Sequence, residues 1–295
     1  MHTTLPPSTT PFFDRLANAA RTALQWRLLL LWAVLLLLPT LAATLPVSQM
    51  LGASFDYSPH AGALAHALDL SVVSDLQQVY KRYDTAVSNG VLVALVLTLL
   101  MSPLLSGMTI AAARTPAPVR LGFGGLLAGG MREYGRLLRM LIWSAVPLAL
   151  AFALGNVVAA PLRKLGENAL LESTAANASL AATLVIGLFL LLAHATIDAG
   201  RAVLAADRRK TSAVRAWSQG VMLVVRRPVA TLGAYVTITL LGLLLAALVA
   251  LVRIRVAPIE GLSFFGALGL TQVAVMVVAW MRSARLLALI ALVRP

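Results

Sequence analysis

The chain of 295 residues is 60% hydrophobic and only 12% charged, with a mean hydropathy of +0.87, whereas soluble domains carry about 25% charged residues. These values exclude an ordinary soluble protein and indicate a membrane protein. Cysteine is absent from the sequence, which excludes disulfides, thiolate metal sites and cysteine nucleophiles. The net charge of +13 does not indicate nucleic-acid binding, because the basic residues flank apolar segments, as in bilayer proteins.

Six apolar segments are long enough to cross a bilayer, which takes about 20 residues of helix. The sequence therefore predicts an all-α fold, a single polytopic domain over residues 1–295 with six transmembrane helices. A cleaved signal peptide is the alternative for the first segment, but its length and the long polar region before it favour an uncleaved span. The predicted spans are Leu28–Leu45, Val91–Ala113, Leu138–Ala160, Leu180–Ile197, Ala230–Val252 and Phe264–Met281.

The connections between the spans divide the basic residues unequally. Six spans place both termini on one side, together with the connections 114–137 and 198–229, and that side holds 18 of the 24 basic residues. By the positive-inside rule this side is cytoplasmic. We therefore predict a multi-pass protein of the bacterial cytoplasmic (inner) membrane with both termini in the cytoplasm, a cytoplasmic N-terminal segment over 1–27 and an external loop over 46–90.

The external loop carries an apolar residue at every fourth position from Leu64 to Tyr80. This spacing predicts a short amphipathic helix over the outer surface of the protein. A lid over an outward-facing cavity is the functional alternative. His60 and His66 lie in the same loop without a cluster of acids beside them, so no metal site is predicted there.

Three basic segments on the arginine-rich side have the periodicity of amphipathic helices. We call them the first elbow (12–24), the second elbow (121–140) and the third elbow (212–225). Such helices can lie in the headgroup layer with an apolar stripe toward the lipid and arginines near the phosphates. The apolar stripes are Phe12, Leu16, Ala20 and Leu24; Phe123, Leu127, Met131, Tyr134 and Leu138; and Val214, Trp217, Val221 and Val224.

The basic residues in and around the second and third elbows are candidates for docking. Anchoring to anionic lipid headgroups explains them without a further ligand. Docking of a cytoplasmic or membrane protein, or of a phosphorylated ligand, is the alternative, and self-association into a homo-oligomer is a further one. The candidate residues are Arg132, Arg136, Arg139, Arg208, Arg209, Lys210, Arg215, Arg226 and Arg227.

The sequence resembles itself at a spacing of 87 residues. TIAAAR at 109–114 aligns with TIDAGR at 196–201, and Arg139 aligns with Arg226 at the same shift. This predicts a repeated two-helix hairpin, and AWMRSAR at 279–285 indicates a third, circularly permuted copy. Repeats are common in transporters. The alternative is that leucine- and alanine-rich spans ending in arginine align through composition alone.

His194, Asp198 and Arg201 form a candidate intramembrane polar cluster. Their i, i+4 and i+7 spacing places them on one face of the fourth span, and ionisable groups inside a span are candidates for function. A proton relay or a cation site is one interpretation. The other is structural, with Asp198 paired to Arg201 or to an elbow arginine and His194 hydrogen-bonded beside them.

The sequence lacks the nucleophile elbow, the zinc-protease motif and the phosphate-binding loop. We therefore predict no catalytic residues, no cofactor, no metal site and no enzymatic activity. The predicted function is an accessory, scaffold or regulatory role in the envelope, and the alternative is a small-molecule or lipid transporter with a polar path. The candidate lining residues are Thr98, Ser102, Ser106, Asn156, His194, Thr237, Thr239 and Gln272.

The stretch SAVRAWSQGVMLVVRRPVATLGAY, Ser212 to Tyr235, places an amphipathic helix, a basic pair and a proline before the fifth span. With the six spans, this arrangement resembles the YciC-type bacterial inner-membrane proteins and the membrane domain attached to some glycerophosphoryl diester phosphodiesterases. Members without the attached soluble domain are not known to be catalytic. The resemblance thus implies a non-enzymatic six-helix protein of the inner membrane, and it supplies no functional residues.

Overall fold

The computed structural model describes residues 12–55, 70–115, 119–255 and 261–293. These residues form eight α-helices and no strand, which confirms the all-α prediction. In chain order the helices are α1 (Phe12–Ala23), α2 (Trp26–Phe55), α3 (Leu70–Arg114), α4 (Phe123–Glu167), α5 (Glu172–Ala206), α6 (Ala213–Arg226), α7 (Pro228–Arg255) and α8 (Gly261–Val293).

Six of these helices, α2, α3, α4, α5, α7 and α8, are long and apolar enough to cross a membrane. The protein is therefore a multi-pass membrane protein with the six spans that the sequence predicts. The helices are longer than the predicted spans: α3 and α4 contain 45 residues each, or about 68 Å at the helical rise. They continue through Pro103 and Pro147, which a bilayer protein tolerates because neighbouring helices can satisfy the freed carbonyl groups.

The long helices include many of the residues that were predicted to form connections between spans. α2 continues to Phe55 and α3 begins at Leu70, so the predicted external loop 46–90 is helical throughout its described part. Residues 56–69, with both loop histidines, lie outside the described residues. The second elbow is also part of a span, because α4 runs without interruption from Phe123. The arginine-, glutamate- and leucine-rich sequence at 131–141 has strong helix propensity and contains no proline to end the helix.

The chain forms two compact units. The first contains residues 1–30 and 103–295, and the second contains residues 31–102. In the second unit, α2 and α3 approach closely at Gly90, where an added Cβ would lie 2.7 Å from Cγ of Pro46. A glycine is therefore required at this crossing.

In the first unit, α4 packs along α5, α7 packs along α8, and α8 also contacts α1 and α5. Five helices share one cluster of buried residues, represented by Ile110 in α3, Leu137 in α4, Ala202 in α5, Tyr235 in α7 and Leu289 in α8. This cluster lies at the end of the unit that also carries α1 and α6. We call it the arginine-rich end.

The first and third elbows pack on this core through small residues. The buried residues of α6 are Ala213, Ala216 and Gly220, and among the side chains of α1 that the structure describes, Ala19 and Ala23 are buried. In the sequence, each of these buried residues comes immediately before a residue of the predicted apolar stripe of the same elbow. The second elbow shows the same offset, and its buried residues are Leu126, Gly130, Glu133, Leu137 and Met140.

The predicted apolar stripes consequently lie beside the packed faces. Leu24 is 58% exposed, Met131 is 63% exposed and Val214 is 47% exposed. Lipid tails solvate large apolar side chains as well as a protein core does, whereas small residues let helices approach closely enough for dispersion contacts. Small residues therefore occupy much of the helix interfaces, and part of each stripe is left available to lipid, whereas Trp217 of the third elbow packs on the core and donates from Nε1 to Oγ1 of Thr196.

The three elbows contact the spans in the same way. α3 meets the start of α4 at Gly107 and Gly130, where an added Cβ on Gly107 would lie 2.8 Å from the carbonyl oxygen of Gly130. α5 meets α6 at Gly200 and Gly220, and α8 meets α1 through alanines. Each of these three span ends thus packs on an elbow, and the hairpin repeat stays a prediction.

Candidate functional site

Asp198 of α5 lies at the centre of the first polar cluster at the arginine-rich end. Its side chain is buried, and its Oδ1 accepts a hydrogen bond of 2.9 Å from Nη1 of Arg201. Its Oδ2 lies 3.8 Å from Nη2 of Arg285 in α8. One carboxylate therefore pairs with two guanidinium groups and connects α5 to α8. We call this group, with Tyr235 and Thr239, the Asp198 cluster.

Arg285 extends the Asp198 cluster to α7. Its Nη1 donates to Oη of Tyr235 at 3.1 Å and to Oγ1 of Thr239 at 3.2 Å. Its Cζ also lies 4.6 Å from the centroid of the Tyr235 ring. This is a cation–π contact, and such contacts are stronger when the guanidinium is shielded from water. The three spans α5, α7 and α8 are thus joined by one arginine.

His194 lies outside the Asp198 cluster. Its side chain is exposed, and its Nδ1 lies 2.9 Å from the carbonyl oxygen of Leu190 in its own helix. The structure therefore brings Asp198 and Arg201 together, as the structural interpretation expects, but it leaves the third predicted residue apart. Tyr235 is not among the residues singled out in the sequence, and Thr239 is predicted there only as a lining residue of a transport path. Their signal is a hydroxyl pair at i and i+4 near the start of the fifth span.

Glu133 of α4 is the centre of a second group, the Glu133 cluster. It is only 5% exposed, its Oε1 accepts a hydrogen bond from Nη1 of Arg114, and its Oε2 accepts one of 2.7 Å from Nη1 of Arg136. Arg114 also donates from Nη2 to the carbonyl oxygen of Ala205 at 2.8 Å. Glu133 is not among the residues predicted from the sequence, although it is the one acid in the arginine-rich connection 114–137.

Arg136 completes the C-terminal end of α5. Its Nη2 donates to the carbonyl oxygens of Leu204, Asp207 and Lys210 at 2.8, 2.7 and 2.7 Å. The last four carbonyls of a helix lack partners within the helix, and that end carries a partial negative charge. A planar guanidinium with five donors can bond the Leu204 carbonyl together with the Asp207 and Lys210 carbonyls of the following turn, so Arg136 fixes the turn between α5 and α6.

The other docking candidates occupy different positions. Arg136 is internal, since its donors are committed to Glu133 and to carbonyl groups. Arg208 is exposed but lies 3.8 Å from Oε1 of Glu133, and Lys210 is half-buried and donates to Oε1 of Gln219 at 2.7 Å. The remaining candidates have exposed side chains: Arg132, Arg139, Arg209, Arg215, Arg226 and Arg227.

Several candidate lining residues for a transport path bond within their own helices. Thr98 donates to the carbonyl oxygen of Ala94 at 2.7 Å, and Asn156 donates to that of Phe152 at 2.7 Å. Thr239 donates to the carbonyl oxygen of its own helix one turn earlier, and it also joins the Asp198 cluster. Side chains satisfied in this way contribute little polar surface to a path.

The two clusters have the chemistry of ion pairing. Arginine stays protonated in proteins, so neither cluster passes protons through its guanidinium groups. In the described ranges, histidine, aspartate and glutamate side chains form no group of three or more that could hold a metal ion. In both clusters the guanidinium groups outnumber the carboxylates.

Comparison with protein-family models, with curated proteins and with solved structures finds no match for this chain. The resemblance to YciC-type proteins therefore stays a prediction. A functional assignment depends on the geometry of the two clusters and on the exposed arginines around them.

Replacing Asp198 with asparagine is expected to lower the free energy of unfolding by about 1–2 kcal/mol. Asparagine can still accept the hydrogen bond from Arg201, but it leaves two guanidinium groups without a counter-charge. Equilibrium unfolding in mixed micelles measures the change. The matched control is His194→Ala on the same helix, for which we expect a change within about 0.5 kcal/mol. Equal losses in both variants would contradict the assignment of His194 to a position outside the cluster.

Proposed function

We propose that this protein is a non-enzymatic accessory or scaffold protein of the bacterial cytoplasmic membrane. In this proposal it organises or regulates other envelope components through the exposed arginines of its second and third elbows. The observation that carries the proposal is that the third elbow packs by its small residues while Arg215 and Arg226 stay exposed, and that Arg139 of the second elbow is exposed as well. A charged surface held in a fixed geometry is suited to docking a partner.

The ion-paired clusters support this proposal because they make the arginine-rich end rigid. The Glu133 cluster joins α3, α4 and α5, and the Asp198 cluster joins α5, α7 and α8. Arginine side chains that project from such a frame lose less entropy on binding than those of a flexible loop. The proposed orientation, with both termini in the cytoplasm, follows from the excess of basic residues at this end.

A small-molecule or lipid transporter is the second candidate function. One observation favours it, which is that the buried Asp198 cluster joins three spans. Ionisable groups at the interface between spans mark substrate paths in many transporters. Against it stands the local bonding of Thr98 and Asn156.

The absence of cysteine from the sequence allows a direct test with single introduced cysteines. Ser218→Cys places a thiol on the exposed side of α6, and Ser173→Cys places one at the opposite end of α5. In intact cells, an impermeant maleimide is expected to label the Ser173 variant and to label the Ser218 variant only after the membrane is opened. A crosslinker attached to the Ser218 variant is then expected to give a discrete adduct with one membrane or cytoplasmic protein.

The adduct must depend on the elbow charge to support the proposal. Adding Arg215→Glu and Arg226→Glu to the Ser218 variant is expected to lower its yield at least about tenfold, while membrane insertion is unchanged. The matched control is Arg255→Glu, an exposed arginine at the other end of α7. An adduct insensitive to the elbow reversals contradicts the proposal. Absence of an adduct, with stabilisation by a small solute, favours the transporter.

A further inference from the structure

Arg163 of α4 directs its guanidinium group back along the helix, away from the nearer helix end at Glu167. Its Nη2 donates to the carbonyl oxygen of Asn156 at 3.2 Å and to Oδ1 of Asn156 at 2.6 Å. Asn156 comes seven residues earlier in the helix, which is about 10 Å along the axis. Its amide group is held in turn, because Nδ2 donates to the carbonyl oxygen of Phe152 at 2.7 Å. The Asn156 side chain therefore holds the guanidinium in place.

The position of Arg163 corresponds to the level at which α4 leaves the hydrocarbon. Arg139 and Arg163 lie 24 positions apart in this helix, or about 36 Å, which exceeds the hydrocarbon thickness of about 30 Å by about 3 Å at each end. The Arg139 side chain bonds to Gly135, on the side away from the bilayer. The Arg163 side chain instead reaches toward the bilayer. Its guanidinium therefore lies near the hydrocarbon boundary, deeper than a long cationic side chain usually ends.

No acid balances the charge of Arg163 in the part of the chain that the structure describes. Glu167 occupies the i+4 position, the usual one for an ion pair within a helix, but the ion pairs of the described ranges do not include Arg163. Within the same ranges, the hydrogen bonds of its guanidinium come from Nη2. A cation at the edge of the hydrocarbon is costly without a counter-charge. Nε and Nη1 thus remain available to an anionic ligand.

These donors can be reached from outside the protein, because the Arg163 side chain is exposed. α4 packs on α5 by a different face, which contains Ala151, Gly155 and Ala159. Since successive residues are about 100° apart around a helix, Asn156 lies beside this packed face rather than within it. A ligand at Arg163 therefore does not have to separate the two helices.

The surface of α4 next to Asn156 is apolar in the direction of the bilayer centre. Phe152 and Ala149 precede Asn156 by about one and two turns, so they share its face. Phe152 is 55% exposed, and Ala149 is also exposed. An amphiphile with an anionic group at Arg163 can therefore extend an acyl chain along this face, in the direction that the bilayer requires.

We propose that Arg163 binds the phosphate of a phospholipid in the leaflet opposite the arginine-rich end, with an acyl chain along Phe152 and Ala149. Nε and Nη1 of Arg163 contact the phosphate through charge-assisted hydrogen bonds. Asn156 is a positioning residue that holds the guanidinium at this level. A phospholipid is the ligand because the guanidinium lies at the edge of the hydrocarbon, where a soluble anion is poorly solvated. The site is separate from the elbows and does not depend on a scaffold or a transport function.

The test uses the purified full chain in a neutral maltoside detergent, which contains no phosphate. The probe is a phosphatidylglycerol analogue with a diazirine at the end of one acyl chain. Illumination is expected to attach it saturably to α4 at Phe152 or its neighbours, as located by peptide mass spectrometry. Arg163→Gln is expected to raise the half-saturating concentration about tenfold, the effect of losing one charge-assisted contact. The matched control is Lys164→Gln, which removes an adjacent exposed cation and is expected to change it less than about twofold.

Asn156→Ala tests the positioning role. It keeps the charge of Arg163 but releases the guanidinium, which can then pair with Glu167 at i+4. The half-saturating concentration is expected to rise, and adding Glu167→Gln is expected to recover part of the loss. An unchanged value in Asn156→Ala contradicts the positioning role.

Three results overturn the lipid site. The first is an unchanged half-saturating concentration in Arg163→Gln, or an equal rise in Lys164→Gln. The second is equal attachment of the matching diacylglycerol, which lacks the phosphate, because the acyl chains alone would then account for binding. The third is displacement of the probe by inorganic phosphate at the concentration of the probe itself, which assigns Arg163 to a free anion.

Discussion

Replacing Arg136 with alanine is expected to lower the free energy of unfolding by about 3–5 kcal/mol, the usual cost of removing one partner of a buried ion pair. The substitution removes the hydrogen bonds to the carbonyl groups of Leu204, Asp207 and Lys210 at the C-terminal end of α5. It also leaves Glu133 with one fewer guanidinium in a buried position. Equilibrium unfolding in mixed micelles measures the loss.

Arg139 provides the matched control for this prediction. It lies one turn away on the same helix, it is exposed, and its Nε donates to the carbonyl oxygen of Gly135 in its own helix. Arg139→Ala is expected to change stability by less than about 0.5 kcal/mol. Arg136→Lys is expected to rescue little, because an ammonium group cannot reproduce the planar arrangement of donors. Similar effects of Arg136→Ala and Arg139→Ala would show that the C-terminal end of α5 does not need the guanidinium.

Replacing Gly220 with leucine is expected to destabilise the protein by at least about 3 kcal/mol, at the upper end of overpacking substitutions. A Cβ at this position would lie 2.5 Å from the backbone nitrogen of Gly200 and 2.9 Å from its Cα. Because these atoms belong to the backbone of α5, no side-chain rotation can relieve the overlap. α6 must therefore move away from α5. The measurement is again unfolding in mixed micelles, together with the fraction of protein that is monodisperse after extraction.

Gly135 provides a control with an effect of opposite sign. It also lies inside a helix, but nothing outside its own helix lies within 4 Å of an added Cβ. Gly135→Ala is therefore expected to stabilise the protein by about 0.5–1 kcal/mol, since alanine loses less backbone entropy than glycine in a helix. If Gly220→Leu is tolerated as well as Gly135→Ala, α6 is not held against α5 in the way that the structure describes.

These two substitutions act on neighbouring parts of one arrangement. Gly220 sets the distance between α5 and α6, and Arg136 fixes the turn between them. The exposed arginines of α6, such as Arg215 and Arg226, are carried by the same helix. Loss of either contact is therefore expected to displace α6 and with it the proposed docking surface. The charge reversals at Arg215 and Arg226 change that surface directly, and Arg255→Glu at the opposite end of α7 is their control.

The number of spans was predictable from the sequence, because a bilayer imposes a minimum length of apolar helix that local composition reveals. The ends of the helices were not. α4 includes both the second elbow and the third span, since no proline occurs between Phe123 and Val146, where the elbow joins the span. The separate helices α1 and α6 were predictable because a short break precedes each following span.

Composition alone could not predict which face of each elbow packs on the rest of the protein. The packed faces lie one position before the predicted apolar stripes, at Ala19, Glu133 and Gly220. In water, the most apolar face would be buried. In a bilayer that preference is weak, so close approach and ion pairing decide which face packs.

The sequence by itself determined that this is a membrane protein with six helical spans and one arginine-rich side, because transfer of residues between water and lipid depends on their type and on segment length. Tertiary structure alone decided which arginines are internal. Arg136 and Arg139 differ little in the sequence, yet one completes the end of α5 and the other is exposed. That difference depends on carbonyl groups of α5 and of the turn after it, which only the tertiary structure brings to Arg136, and pairing across helices leaves no trace in local composition.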